Sequence, residues 1–446
     1  MKRVSYFLMV ILGVSCSEDS SKIEGNYPIP STLQNVVWTK NFGGSGDDSA
    51  RSIIQTNDGG FAILGMSNST DGDLSFKNLA VNDYWLVKLD MDGNLEWQKT
   101  YGGSKDDQGQ QIIQTSDGGY AITGYAMSDD GDGSNNEGFH DNWILRLDAA
   151  GNILWEKSFG FSGHDHSYDL VETVDGGFFF SGFLDVTSSN GEGSTDKGRL
   201  TAHGVGEFWG TKIDGDGNLQ WRKFFGGTNN DRSFGVVNAH DGGYILVGSS
   251  ESDDFDIGDP KGSYDFWAVK INKNGTFVWE SSFGGTGIDQ AQDIVATTDG
   301  GYVIAGNTFS EDTQVTKNNG QSDVWLIKID DNGQLLWEKS FGGAGFDAAH
   351  SVRATMDGGF LVCGNSKSFD GDLAENFGEN DIWVFKTDAS GKLEWEKSLG
   401  GSNLDFGYDA LETAAGNVVL IGETTSQDFP EIQTKGGMDM VVINLQ

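Results

Sequence analysis

Cysteine and proline are both scarce in this chain, at two and four residues of 446. If Cys16 is consumed by lipidation, as argued below, only Cys363 remains, and one thiol cannot form an internal disulfide. Few prolines beside 66 glycines suit many tight turns between strands rather than a disordered linker protein. Basic residues are also few: 29 Lys and Arg against 67 Asp and Glu leave a net charge of -38. Phosphate binding needs clustered Lys and Arg, and no such cluster exists, so a nucleic-acid partner is excluded. The acids are spread over the whole chain and describe a soluble, mutually repelling surface. Long apolar runs are absent as well. The apolar run from Tyr6 to Leu12 is too short to span a bilayer.

That run has the form of a secretory signal, with Lys2 and Arg3 before it and Gly13 and Ser15 before Cys16. Leu12-Gly13-Val14-Ser15-Cys16 resembles a bacterial lipobox, which assigns residues 1–15 to a signal peptide and Cys16 to lipidation. Residues 16–35 then read as the lipidated cysteine and a flexible tether. The acids just after Cys16 resemble the surface-export signal of Bacteroidota lipoproteins, placing the globular part at the cell surface.

What the chain does have is a unit returned seven times over residues 36–446. An Asp recurs at 48, 107, 165, 231, 289, 347 and 405, and a glycine follows each one eleven residues later. A Trp at 85, 143, 209, 267, 325 and 383 is followed by another twelve residues later. A period of about sixty residues is in the range of propeller blades. Four segments per unit alternate and are rich in β-branched and aromatic residues, as in Ser52–Thr56, Phe61–Gly65, Tyr84–Leu89 and Leu95–Lys99. These are strands a to d. The two fixed distances make the a–b and c–d connections tight turns and leave the length variation to the b–c loop. The chain starts on an isolated strand d, Val36–Phe42, and ends on a strand c, Val441–Leu445. Pairing the two predicts an all-β, seven-bladed β-propeller of four-stranded antiparallel blades, closed by the N-terminal strand.

All thirteen tryptophans fall on strands c and d, which reads as packing between blades and leaves none for a sugar platform. Motifs such as Trp155-Glu156-Lys157-Ser158-Phe159-Gly160, Asp299-Gly300-Gly301-Tyr302 and Asp323-Val324-Trp325 resemble the bacterial β-propeller-repeat surface lipoproteins. The third unit departs, with Phe161 for a glycine, Glu207 for an aspartate, and the longest b–c loop, Gly182 to Glu207. The seventh has Ala415-Gly416-Asn417 in place of Asp-Gly-Gly. The resemblance implies an outer-membrane location and fixes no ligand.

Binding residues concentrate on loops held by a rigid scaffold, so the d–a and b–c face is the functional candidate. Strand alternation sends the residues one and three places after each repeated Asp toward the channel mouth. This selects Arg51, Gln108, Gln110, His166, Tyr168, Arg232, Phe234, Gln290, Gln292, His350, Phe406 and Tyr408, a polar and aromatic set suited to a glycan or peptide. In the b–c loops, Asp71 with Asp73, Asp130 with Asp132, and Asp370 with Asp372 offer hard oxygens suited to Ca2+. No EF-hand follows, since the twelfth position from Asp71 is Asn82. His164, His166, Tyr168 and Arg232 suit acid–base chemistry of a lyase type. No nucleophile elbow, zinc-spaced His/Cys set or phosphate loop is visible. The favoured reading is a lipid-anchored surface protein that binds or scaffolds a glycan or protein partner. The alternatives are a carbohydrate-active enzyme, a polysaccharide lyase or glycosidase, on the same scaffold, or a structural subunit of an outer-membrane complex.

Overall fold

The computed structural model describes residues 35–185, 204 and 206–446. The signal segment, Cys16 and the tether up to residue 34 lie outside the described residues, as do 186–203 and 205 of the long third b–c loop. Among the described residues no helix is long and apolar enough to cross a membrane.

Each sequence unit becomes one antiparallel sheet, seven in all, with its strands ordered as they occur in the chain. In blade 1 these are Asp48–Gln55, Phe61–Ser67, Asp83–Leu89 and Leu95–Tyr101. Blade 7 is completed from the other end of the chain: Val36–Phe42 pairs antiparallel with Asp439–Leu445. The clasp is extended by Gln446 N–H donating to Asn35 O at 2.9 Å. The a strands adjoin one another around the axis and form the inner ring.

The core lies between blades rather than within one. Ile245, Val247 and Phe266 of blade 4 pack on Ile304, Trp325 and Ile327 of blade 5. The strand c tryptophans are buried to 2% exposure or less. In blades 1, 2, 4, 5 and 6 the indole N–H donates to strand d, as from Trp143 to Glu156 Oε2 at 2.9 Å. The strand d tryptophans lie over the next blade's c–d turn. A Cβ on Gly93, which sits at φ +76°, would come within 3.0 Å of the Trp38 ring, so the turn glycine serves both backbone and packing. Blade 3 breaks this rule: Arg222 replaces the acceptor, and Phe161 stacks on Trp209 at 5.9 Å with the Arg222 guanidinium 4.4 Å over it.

The repeated aspartates lock the d–a connection. Asp48 accepts from Gly44 N–H at 2.7 Å and Ser69 Oγ at 2.8 Å, and Asp289 and Asp347 repeat the arrangement with Gly285 and Gly343. This is the backbone-capping role expected of short acids at turns.

Candidate functional site

Every a–b strand pair slips register once, at Arg51, Gln110, Tyr168, Phe234, Gln292, His350 and Tyr408. A β-bulge places two consecutive residues opposite one and re-aims the side chains beyond it. The cause is visible across the pair, where strand b always carries a glycine. A Cβ at Gly65 would sit 1.8 Å from Ser49 O, and one at Gly182 would sit 1.7 Å from His166 O. Strict alternation therefore fails on the inner strands: the residues three and four places after the repeated Asp both face the axis.

Those residues enclose a cavity of about 330 Å³ at the centre of the ring. Of the predicted set, Arg51, Gln108, Gln110, Tyr168, Phe234, Gln292, His350 and Tyr408 line it. His166, Arg232, Gln290 and Phe406 do not. They sit one place after the repeated Asp, before the bulge, and stay outside the cavity lining. The bulge brings in a tier that alternation misses: Ser52, Gln111, Asp169, Asp293, Ser351 and Asp409. Tyr125 of strand b and Arg353 complete the wall.

The deeper tier stitches blades together. Asp169 accepts from Val236 N–H at 2.7 Å, Asp293 from Val352 N–H at 2.8 Å, and Asp409 from Ile53 N–H at 3.1 Å, each across a blade boundary. Gln111 donates to Asp169 at 2.8 Å, and Arg353 forks onto Asp409 at 2.6 and 3.2 Å. Burial raises the Asp169 carboxyl to about 6 and the Asp293 carboxyl to about 7. The Arg353 guanidinium is held charged chiefly by Asp409. Higher in the wall, Arg51 lies 3.9 Å over the Tyr408 ring and 3.6 Å from Glu423. The atom facing Glu423 is the buried Nη1, which makes no hydrogen bond. His350 is half-buried against Asn365, and desolvation pulls its pKa down to about 4.

The loop aspartates strap the preceding d–a connection. Asp71 and Asp73 accept from Ser45 and Gly43 N–H, Asp130 and Asp132 from Ser104 and Gly102, and Asp370 and Asp372 from Ala344 and Gly342. Asp73 also pairs with Lys435 at 2.5 Å. Among the described residues none of the six belongs to a group of three or more His, Cys, Asp or Glu side chains placed to hold a metal ion.

The structure does assemble such a group elsewhere. His140, from the blade 2 b–c loop, meets His164 and His166, which flank the repeated Asp165 of blade 3, with one ligand atom of each within 4.8 Å of the others. No spacing motif announced it, because the segment with His140 and the segment with His164 and His166 are brought together only by blade contact. The backbone contact responsible is Asp165 N–H donating to His140 O, repeated at the other junctions as Asp107 to Asn82 and Asp347 to Ser322.

No protein-family model matches the chain. The regulatory protein FlaEY of Caulobacter vibrioides is 26% identical over 165 residues, a match covering 34% of this chain and 17% of that protein. The chain thus spans about a sixth of that relative's length. Among solved structures, BamB from Moraxella catarrhalis is 11% identical, with a TM-score of 0.41 over 93% of this chain and 100% of the other. The WD40 domain of Neurospora crassa Pan2 is 10% identical, with a TM-score of 0.48 over 92% and 97%. The β-propeller domain of the Trilobed protease from Pyrococcus furiosus is 9% identical, with a TM-score of 0.42 over 90% and 94%. This chain is similar to β-propeller proteins in architecture, and its own strand order establishes the seven-bladed ring.

Proposed function

We propose that this protein is a binding or scaffold module, held in the outer membrane by a lipidated Cys16 and exposed at the cell surface, that takes a glycan or a segment of a protein partner into its axial cavity. The observation that carries the reading is the wall of that cavity. All seven bulged residues face it, and they differ from blade to blade while the shell around them repeats. A volume near 330 Å³ lies at the lower end of small-molecule sites, which run from about 300 to 1,000 Å³. The aromatic side chains Tyr125, Tyr168, Phe234 and Tyr408 share the wall with the amides of Gln108, Gln110 and Gln292, a mixture suited to polyhydroxyl or peptide groups. Asp169, Asp293, Asp409 and the adjoining Glu423 outnumber Arg51 and Arg353, so neutral sugars or a basic side chain suit the wall better than a polyanion.

The test is retention of the protein on a panel of neutral and acidic polysaccharides and Lys-rich peptides. The expected result is retention on a neutral or basic probe, with polysaccharide length unchanged and affinity lowered about tenfold or more by Tyr168→Ala, a loss of about 1.4 kcal/mol. Shortening of a polysaccharide would replace this reading with an enzymatic one. Retention on no probe, or retention untouched by Tyr168→Ala, would contradict the cavity as the site.

A further inference from the structure

We propose that His140, His164 and His166 form a binding site for a borderline divalent transition metal ion, Zn2+ in the first instance, on the rim of the cavity at the junction of blades 2 and 3. The inference is independent of what the cavity itself holds.

Three observations carry it. The first is position. The residue before strand c, the residue before the repeated Asp and the residue after it meet at six described junctions, where the same backbone hydrogen bond joins them, from Asp48, Asp107, Asp165, Asp289, Asp347 and Asp405. At the blade 5–6 junction these positions hold Ser322, Phe346 and Ala348. Histidine is thus no requirement of the fold there, yet three of the chain's six histidines converge on this one junction.

The second is geometry. His140 Nδ1 and His164 Nδ1 are 3.1 Å apart. Two nitrogens at about 2.0 Å from a tetrahedral Zn2+ are separated by about 3.3 Å, so this pair already has chelating spacing. The third ring brings a ligand atom to within 4.8 Å of the other two.

The third is support behind the ligands. His140 Nε2 lies 3.1 Å from Asp106 Oδ2. Asp106 also accepts from Asn82 at 2.6 Å and Gln108 at 2.8 Å. A carboxylate on Nε2–H fixes the tautomer that leaves Nδ1 as a lone pair, the arrangement found behind most metal-bound histidines. His166 is held by stacking on Tyr125 at 3.9 Å, with Nδ1 3.2 Å from Tyr168 Oη. When Nδ1–H donates to that oxygen, Nε2 is a buried lone pair, and the structure gives it no hydrogen-bond partner. His164 stacks on Phe139 and is exposed, so the site opens to solvent. The nearby Arg232 opposes a cation, but its guanidinium is drawn over the Phe183 ring at 4.9 Å. Neutral imidazoles suit Zn2+, Cu2+ and Ni2+ and discriminate against Ca2+ and Mg2+.

The experiment uses the full chain without an affinity tag, stripped with a chelator and titrated calorimetrically with ZnCl2. Electron paramagnetic resonance with CuCl2 then counts the nitrogen ligands. One equivalent of Zn2+ is expected to bind, with nitrogen hyperfine structure in the Cu2+ spectrum. His164→Ala with His166→Ala should abolish both while the metal-free melting temperature stays the same. Asp106→Asn should weaken binding by about 10- to 100-fold, as loss of an outer-shell partner does. Absence of Zn2+ binding by the wild-type chain would overturn the proposal. So would one-equivalent binding that survives in the double histidine variant, which would place the ion elsewhere.

Discussion

At the junction of blades 5 and 6, Asp347 N–H donates to Ser322 O at 2.8 Å, and the residues flanking that bond are Ser322, Phe346 and Ala348, with none able to ligate a metal through a ring nitrogen. At the junction of blades 2 and 3 the same backbone bond joins Asp165 to His140, and around it stand three imidazoles, two tyrosines and a supported carboxylate. Two nearly identical pieces of backbone thus carry unrelated chemistry. The fold is held by groups that repeat, namely buried tryptophans, strand b glycines and the aspartate locks. Apart from the deep tier of Asp169, Asp293 and Asp409, which bonds neighbouring blades, the side chains at the rim and around the axis are released from that duty and can differ from blade to blade.

That division is open to attack from the shell inward. Trp325 is fully buried, and its indole N–H donates to Glu338 at 2.9 Å. Trp325→Ala should therefore cost about 3–5 kcal/mol, seen as a fall in the denaturant midpoint. Ser322→Ala at the neighbouring junction should cost far less. Comparable losses would break the distinction between shell and rim.

A smaller effect is expected from pH. Burial raises Asp83, Asp141, Asp265, Asp323 and Asp381, the strand c acids, to about 6, and Asp165 to about 7. A carboxyl whose pKa is higher folded than unfolded binds more protons in the native state, so stability falls as pH rises through that interval. With an unfolded value of 3.8, the stabilisation is full below about pH 4 and lost above about 7. The melting temperature should therefore rise when the buffer is taken from pH 8 to pH 5. A fall over that range would show these acids to be stabilised as anions, as a bound cation would do.

Next comes the tier that belongs to both regions. Asp169→Ala removes the acceptor for Val236 N–H and Gln111 and should cost about 1–3 kcal/mol. Smallest in stability is Tyr168→Ala. Its side chain faces the cavity, so the melting midpoint should move little while ligand affinity falls.

The shell was legible because its spacings do not vary. Eleven residues from Asp to glycine and twelve between tryptophans define the tight turns, the strand order and the closing strand. The axis was legible only in part. Alternation found Arg51, Tyr168 and Tyr408 but missed Asp169, Asp293 and Asp409, because the bulge shifts the period by one. The sign was present in the sequence, as a strand b glycine at the same place in all seven units (Gly65, Gly124, Gly182, Gly248, Gly306, Gly364 and Gly422), where an interior strand glycine marks a bulge. The histidine group left less trace. His140 lies 24 residues before His164, with the third and fourth strands of blade 2 and the turn joining them in between, and only closure of the junction brings them to 3.1 Å.

The central claim is that ligand recognition belongs to the non-repeating wall of the cavity and not to the repeating shell. The most direct measurement compares the wild-type chain with a Tyr168→Ala/Gln292→Ala variant for affinity to the neutral polysaccharide and Lys-rich peptide panel, with melting temperatures recorded on the same samples. The account expects binding to be lost at an essentially unchanged melting temperature. Binding that persists undiminished in the variant would contradict it.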